Sequence, residues 1–386
     1  MKSSVNPPPA PRPVGLYVHI PFCRSRCSYC AFASGIYTPH TADIYIDTLA
    51  REISLRPLFN DRCKPETLFI GGGTPSSLDV KQLEKLLLLL PKPVDGGEAT
   101  CELNPDSTDI EKLTLLHAHG INRCSFGVQT FSEKGLRLLG RRHDAGQAET
   151  IIRKALEMGF SSVSLDLITG WPGQSIGDAL FDVRQAVALG VTHISCYNLS
   201  IDNGSEFYEK LTINELMEPT EERLAEFWEM VEGYLLAQGF EHYETSNFCR
   251  PGFACRHNVN TWKGGEYLGI GAAAHSHHSG RRWATTPSTS EYISNLAQGM
   301  VPEVFSEQLE PEEKAKECAA FWLRLFDGID IQEFAERTGF DIFSLYGETL
   351  DKLCSQGYVE INADQTKVFV PKKYQLLLDS IVVDLI

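Results

Sequence analysis

Six short apolar segments, each followed by a helix-like stretch, run through the first half of this chain, and that alternation restricts the fold more than any other feature. The candidate strands are Gly15–Ile20, Thr67–Gly71, Ala99–Leu103, Arg123–Val128, Ser162–Ile168 and His193–Leu199. The candidate helices between them are Ala42–Leu55, Val80–Leu90, Asp109–His119, Ala145–Met158 and Ile176–Leu189. Ser77 and Asp79 stand where the second helix needs an N-cap, and Ser107 does so for the third. Gly120, Gly159 and Gly190 follow helix ends, where a residue of positive φ is wanted. Strand–helix repeats of this kind build parallel sheets, as a barrel or as an open sheet.

The strand ends choose between the two. The first candidate strand runs into Pro21-Phe22-Cys23, the second into Gly71-Gly72-Gly73-Thr74-Pro75, and the third ends on Glu102-Leu103-Asn104-Pro105. The fourth closes on Gly127-Val128-Gln129, the fifth carries Asp166, and the sixth ends near Asn198 and Ser200. Polar, glycine or cysteine chemistry at every C-terminal edge is how a (β/α) barrel builds a ligand-binding mouth. The expected fold class is therefore α/β, with a (β/α)6 TIM-like barrel whose strand–helix repeats run from Val14 to about Leu199.

The first of those edges holds three cysteines, Cys23, Cys27 and Cys30, spaced C-x3-C-x2-C. Thiolates hold iron–sulfur clusters, and three on one loop leave one iron of a [4Fe–4S] cubane without a protein ligand. An open iron suits substrate chemistry, whereas an electron carrier closes all four positions. Arg24 and Arg26, interleaved with the cysteines, would favour thiolates. Zinc and unrelated burial are the alternatives. Zinc wants a second Cys or His pair at defined spacing, and Cys63, Cys101, Cys124, Cys196, Cys318 and Cys354 are scattered singly. Cys249, Cys255 and His257 are spaced too widely for the usual zinc pair.

Eleven cysteines would otherwise suggest a disulfide framework. The N-terminal tail Met1–Pro13 is proline-rich without an apolar h-region, so it reads as a disordered tail and not as a signal peptide. A reducing, cytoplasmic setting is expected. The formal charge of −16, with no basic run, argues against nucleic acid, and the longest aliphatic run, Leu86–Leu90, is too short for a membrane span. Beyond residue 280 a helical region, a hairpin over Tyr358–Ile361 and Lys367–Val370, and a last helix suggest a mainly helical, winged-helix-like domain over residues 281–386. Eight Lys or Arg against fourteen Asp or Glu in residues 311–386 argue against DNA binding by that domain. His275, His277 and His278 sit among Ser and Gly and read as a loop.

Tyr17-Val18-His19-Ile20-Pro21-Phe22-Cys23 and its spaced cysteines resemble the start of the radical SAM superfamily, in particular the oxygen-independent coproporphyrinogen III oxidase-like group. The resemblance continues through Gly71–Pro75, Phe126–Gln129 and Asp166–Ile168 and covers roughly residues 14–280. It implies that S-adenosylmethionine (SAM) chelates the open iron, and that an electron from the cluster cleaves its sulfonium bond to methionine and a 5′-deoxyadenosyl radical. It further implies cofactor contacts for Gly72, Gly73 and Thr74, for Glu102 and Asp166 at the nucleoside, for Gln129, and for Arg141 at the methionyl carboxylate. Tyr17 and Tyr29 would flank the cluster. Each position also has a plainer reading: glycines serve turns, Glu102 precedes an Asn-Pro turn, and Arg141 could belong to a solvated Arg141-Arg142 pair.

Within that group the chain departs from the oxidases. Their fourth cysteine, two residues after the third, is Phe32 here, and only 22 residues precede Cys23. These departures point to the haem-chaperone (HemW-type) branch. Cys255-Arg256-His257-Asn258-Val259-Asn260-Thr261-Trp262 resembles that branch's HNxxYW motif, with Thr261 in place of tyrosine. The resemblance implies haem contacts for His257, Asn258 and Trp262, haem as cargo for haem-accepting target proteins, and a flavodoxin or ferredoxin-type reductant. The alternative for His257 and Asn258 is local hydrogen bonding in a loop. The alternative function is oxygen-independent coproporphyrinogen III oxidation, a radical decarboxylation of propionate side chains.

Overall fold

The computed structural model describes residues 14–56, 64–383 and 385. Cys63 and the tail Met1–Pro13 lie outside the described residues. The expected alternation is present as β1 Val14–Ile20, α1 Pro39–Leu55, β2 Thr67–Gly72, α2 Val80–Leu89, β3 Glu98–Leu103, α3 Ile110–Ala118 and β4 Arg123–Gln129. It continues as α4 Glu133–Leu138, a short helix not expected from the sequence, then α5 Ala145–Glu157, β5 Ser162–Thr169, α6 Ile176–Leu189 and β6 His193–Asn198. Side chains decide the helix starts: Asp79 caps α2 and Asp144 caps α5, each in a reciprocal box with a glutamine three residues on. Asp109 and not Ser107 caps α3; the Ser107 hydroxyl is bonded to Ser76 at 2.7 Å.

Strands β1 to β6 pair in parallel and in chain order. Leu16, Val18 and Ile20 on one face of β1 are wholly buried, and His19 on the other is buried too, as a strand covered on both faces requires. The chain then passes through α7 Glu206–Thr212, α8 Glu221–Ala237, β7 Glu241–Glu244, β8 Asn247–Cys249, α9 Arg256–Trp262 and β9 Glu266–Ile270. β8 lies antiparallel on β6, and β9 adds parallel to the outer side of β1. After β9 come β10 His275–His278, β11 Arg281–Thr285, α10 Thr289–Ala297 and β12 Glu303–Gln308. One twelve-stranded sheet results, in the order β12-β11-β10-β9-β1-β2-β3-β4-β5-β6-β8-β7. It curls into a partial barrel whose ends do not meet.

Two expectations change here. The break expected at residues 280/281 falls inside this sheet, because β11 pairs antiparallel with both β10 and β12. The changeover to the helical domain comes after Gln308. The loop expected at His275–His278 is strand β10: Ser276 and His277 are buried, and Ser279 and Gly280, both of positive φ, turn it into β11. The C-terminal part comprises α11 Pro311–Trp322, β13 Ile329–Asp330, α12 Ile331–Thr338, α13 Ile342–Ser355, β14 Glu360–Ile361, β15 Lys367–Phe369 and α14 Leu378–Val383. Its small sheet runs β13-β15-β14 and closes a separate hydrophobic core around Trp322, Phe334 and Leu353. Helices with a short hairpin wing match the winged-helix-like expectation. Among the described residues no helix is long and apolar enough to cross a membrane.

Candidate functional site

The C-terminal ends of β1 to β6 surround one cavity of about 520 Å³, within the range of small-molecule sites. Cys23, Cys27 and Cys30 all line its mouth. The loop that carries them is tied down at several points. The Ser28 amide donates to the Leu139 carbonyl at 3.2 Å, and the Phe207 amide donates to the Ser28 carbonyl at 2.9 Å. Neither Arg24 nor Arg26 hydrogen-bonds a sulfur, although the Arg26 charge does act to lower the Cys30 thiol pKa as expected. Arg24 donates to the Asp106 carbonyl at 2.7 Å, and Arg26 to those of Cys30 and Gly204 at 3.3 and 2.9 Å. Arg141 makes the bond to sulfur, placing Nη1 3.1 Å from Cys27 Sγ.

Arg141 is the hinge of a buried network. Its Nη2 donates to Asn104 Oδ1 at 2.8 Å and to the Gly127 carbonyl at 2.5 Å. Asn104 Nδ2 donates in turn to Thr74 Oγ1 at 3.2 Å, and Thr74 Oγ1 lies 3.5 Å from Cys23 Sγ. Sulfur, hydroxyl, amide and guanidinium thus form one connected rim, and the reading of Arg141 as a solvated surface residue falls. Asn104 was quoted from the sequence only as part of a strand end.

The glycines are needed for close approach. A Cβ on Gly73 would stand 2.8 Å from the Phe22 carbonyl oxygen, and one on Gly71 would stand 2.7 Å from Glu102 Oε2. Gly72 adopts φ 110°, open only to glycine, and its amide donates to Glu102 Oε2 at 3.1 Å. Burial, with Asp166 near, pushes the Glu102 carboxyl up to about 8, so near neutrality it can donate as well as accept. Burial also raises the carboxyl of Asp166, which accepts from Ser125 Oγ at 3.2 Å. Gln129 holds a positive φ of 72° at the rim. Burial raises the thiols of Cys23 and Cys30.

Of the residues expected at the cofactor, Tyr29, Gly72, Gly73, Thr74, Glu102, Gln129, Arg141 and Asp166 share the cavity lining. Tyr17 does not. Its hydroxyl pairs with His19 Nδ1 at 3.1 Å and its ring stacks on Phe69, its in-register neighbour on β2, so it shares the inward face of the barrel but is held against these neighbours and not open to the cavity.

The residues expected at haem are divided. α9 forms part of the barrel floor, against the N-terminal ends of β1 and β2. His257 is buried there, its Nδ1 2.9 Å from Thr67 Oγ1 and its ring packed on Phe69. Burial takes its pKa down to about 4. Asn258 lines the cavity from below. Trp262 points the other way, packed with the C-terminal core and under the Arg324 guanidinium. Of the three, only Asn258 lines the cavity; His257 is buried against β1 and β2 and Trp262 against the C-terminal core. What sequence reading missed is that this polar segment is helical at all: Glu98 accepts from the amides of Arg256 and His257, both at 3.1 Å, and so caps a helix of weak formers.

Does the rim fit a cubane? Among the described residues no three His, Cys, Asp or Glu side chains converge on a point in the way a single ion needs. A cubane asks instead for one sulfur at each of three irons, spread along a loop, with room opposite for a further ligand. The three lining cysteines, the glycine floor beside Cys23 and the guanidinium on Cys27 meet that demand.

A parallel barrel sheet whose first strand delivers three cysteines to the mouth, above glycine, carboxylate and guanidinium groups, defines the radical SAM class. Residues 17–185 match the Radical SAM superfamily and residues 309–368 the HemN C-terminal domain. The protein named Heme chaperone HemW of Bacillus subtilis (strain 168) is 33% identical over 365 residues, covering 94% of this chain and 96% of its own length. Its namesake in Escherichia coli (strain K12) is 34% identical over 366 residues, with 92% and 94% covered. In fold, the chain superposes on the coproporphyrinogen III oxidase (HemN) of Escherichia coli with a TM-score of 0.84, at 24% identity, over 97% of this chain and 90% of that one. The chain belongs to the HemW family within the radical SAM superfamily.

Proposed function

We propose that this chain holds a [4Fe–4S] cluster on Cys23, Cys27 and Cys30, binds SAM beside it, and takes up haem for delivery to haem-requiring proteins. The observation that carries the reading is the near-full-length likeness to proteins named Heme chaperone HemW. Phe32, 69% exposed at the mouth where the oxidases place a fourth cysteine, accords with it. The cluster, when bound, would supply one electron to the sulfonium of SAM. The chain's own residues bind and orient. Gly72 and Gly73 admit the ligand against the backbone, Glu102 and Asp166 meet nucleoside hydroxyls, and Arg141 pairs with the methionyl carboxylate while holding Cys27. For haem, the segment Arg256–Trp262 is the proposed docking element, with His257 reachable once α9 leaves the floor. An external one-electron donor of the flavodoxin or ferredoxin kind completes the scheme.

The oxidase alternative draws on the shared fold. One preparation separates the two readings. Anaerobically reconstituted protein is mixed with coproporphyrinogen III, reductant and SAM, and assayed for protoporphyrinogen; sustained turnover would remove the carrier reading. The same protein is titrated with haem, following the Soret band in wild type and in His257→Ala. Tight binding by wild type is expected, and an unchanged affinity in the variant discards His257 as a ligand.

A further inference from the structure

Arg123 opens β4 on the barrel floor and is only 3% exposed, yet it lines the cavity. Its Nε is buried without a hydrogen-bond partner among the described residues. A guanidinium carries five donors and keeps its charge, so a buried one normally finds a partner. Glu98 and Asp166 lie near enough to favour its charge, but no nearby acid among the described residues is hydrogen-bonded to it, each accepting from other donors. Glu98 is spent on the α9 amides and on Cys255 Sγ, 3.5 Å away. Asp166 accepts from Ser125, and Glu102 from the Gly72 amide. His193 cannot help, since Nδ1 is paired with Ser164 Oγ at 2.8 Å and Nε2 with Tyr243 Oη at 2.9 Å. Ser195 and Asn258 complete this part of the lining.

The cavity therefore has a cation at each end. Arg141 stands at the mouth beside Cys27, and Arg123 stands on the floor, at the far end of a strand that climbs about 20 Å. The proposal above gives the methionyl carboxylate to the upper one. We propose that Arg123, with Asn258 and Ser195, forms a second, separate subsite on the barrel floor that binds a carboxylate. A propionate arm of a tetrapyrrole and a free small carboxylate offer the same two oxygens to the guanidinium fork. The tetrapyrrole source rests on the haem reading; the carboxylate subsite does not.

The test uses the full chain without SAM. Sodium propionate is titrated against sodium chloride at matched ionic strength, following the melting temperature of wild type, Arg123→Gln and Arg123→Lys. Wild type should gain a propionate-specific, saturable rise that Arg123→Gln lacks and Arg123→Lys keeps in part. Asn258→Asp, which offers Arg123 a carboxylate from within the chain, should abolish the rise even if Arg123→Gln does not fold. A second arm titrates haem and haem dimethyl ester. Loss of a preference of about tenfold for free haem in Arg123→Gln assigns the carboxylate to the tetrapyrrole. A propionate response with no such preference assigns it to a small carboxylate, and if no form binds haem at all the haem reading fails separately. If neither arm depends on Arg123 or responds to Asn258→Asp, the guanidinium only balances buried charge and the subsite is refuted.

Discussion

Replacing Gly73 by alanine tests whether backbone contact at the mouth sets the cluster loop. The added Cβ would stand 2.8 and 2.9 Å from the oxygen and nitrogen of Phe22 and 3.0 Å from the oxygen of Ile20. All three are backbone atoms, so no side chain can swing aside. They are also bonded to this turn: the Gly73 amide donates to Ile20 at 2.9 Å, and the Thr74 amide to Phe22 at 2.8 Å. Relief has to come from moving the segment that ends in Cys23. Overpacking of this kind costs about 1–3 kcal/mol. A shift of a few tenths of an ångström also carries Cys23 away from Cys27 and Cys30. Denaturant unfolding should report the stability loss, and iron and sulfide per chain after anaerobic reconstitution should fall well below wild type. Gly120→Ala is the control. With φ 88° and nothing within 4 Å of its Cβ, it costs about 1–2 kcal/mol of backbone strain far from the mouth and should load a full cluster. If Gly73→Ala loads iron as fully as Gly120→Ala, the close approach does not govern the loop.

Three other expectations follow from the same geometry. Cys23→Ser, Cys27→Ser or Cys30→Ser should each leave little intact cubane by absorbance and iron content, whereas Cys63→Ser should leave iron unchanged; a full cluster in any of the first three would break the ligand assignment. His257 is neutral when folded, with its pKa at about 4, and titrates near 6.5 when unfolded, so the stability it confers is complete above pH 6.5 and is lost as pH falls towards 4. The loss should reach about 3 kcal/mol relative to His257→Asn, and parallel stability–pH curves for the two would contradict it. Glu98→Ala should uncap α9 at a cost of about 1–2 kcal/mol and speed amide exchange over residues 255–263 without altering iron content; unchanged exchange there would show that Glu98 does not hold the floor helix.

The barrel was readable because each of its signals is local. Alternating apolar runs and polar caps fix β1 to β6 and every helix between them but α4 to within a few residues, and the strand-end residues fall on one mouth because parallel strands all point their C-termini the same way. Residue spacing alone also places the three cysteines together. Tyr17 shares the inward face with the lining residue Phe69, and what keeps it out of the lining is its stacking on that ring and its bond to His19, contacts that no local pattern shows. The β10–β12 hairpins were missed because their partners lie on each other and on β9, beyond a stretch whose histidines, serines and glycines carry no strand period.

Arg123 and α9 mark the limit of sequence reading in a more instructive way. Nothing in Asn122-Arg123-Cys124 distinguishes a surface arginine at a strand start from one turned into a barrel, since β4 acquires its inner face only by pairing with β3 and β5. The segment Arg256–Trp262 likewise has few residues that favour a helix; a carboxylate from β3, more than 150 positions earlier, supplies the cap. Both features belong to the floor, and both depend on contacts between distant parts of the chain. The mouth, by contrast, is assembled from short motifs that keep their chemistry wherever a parallel strand ends. Chemistry general to the superfamily is thus written in local sequence at the top of the barrel, while what is particular to this chain is to be sought on the floor, where long-range pairing decides which side chains face the cavity.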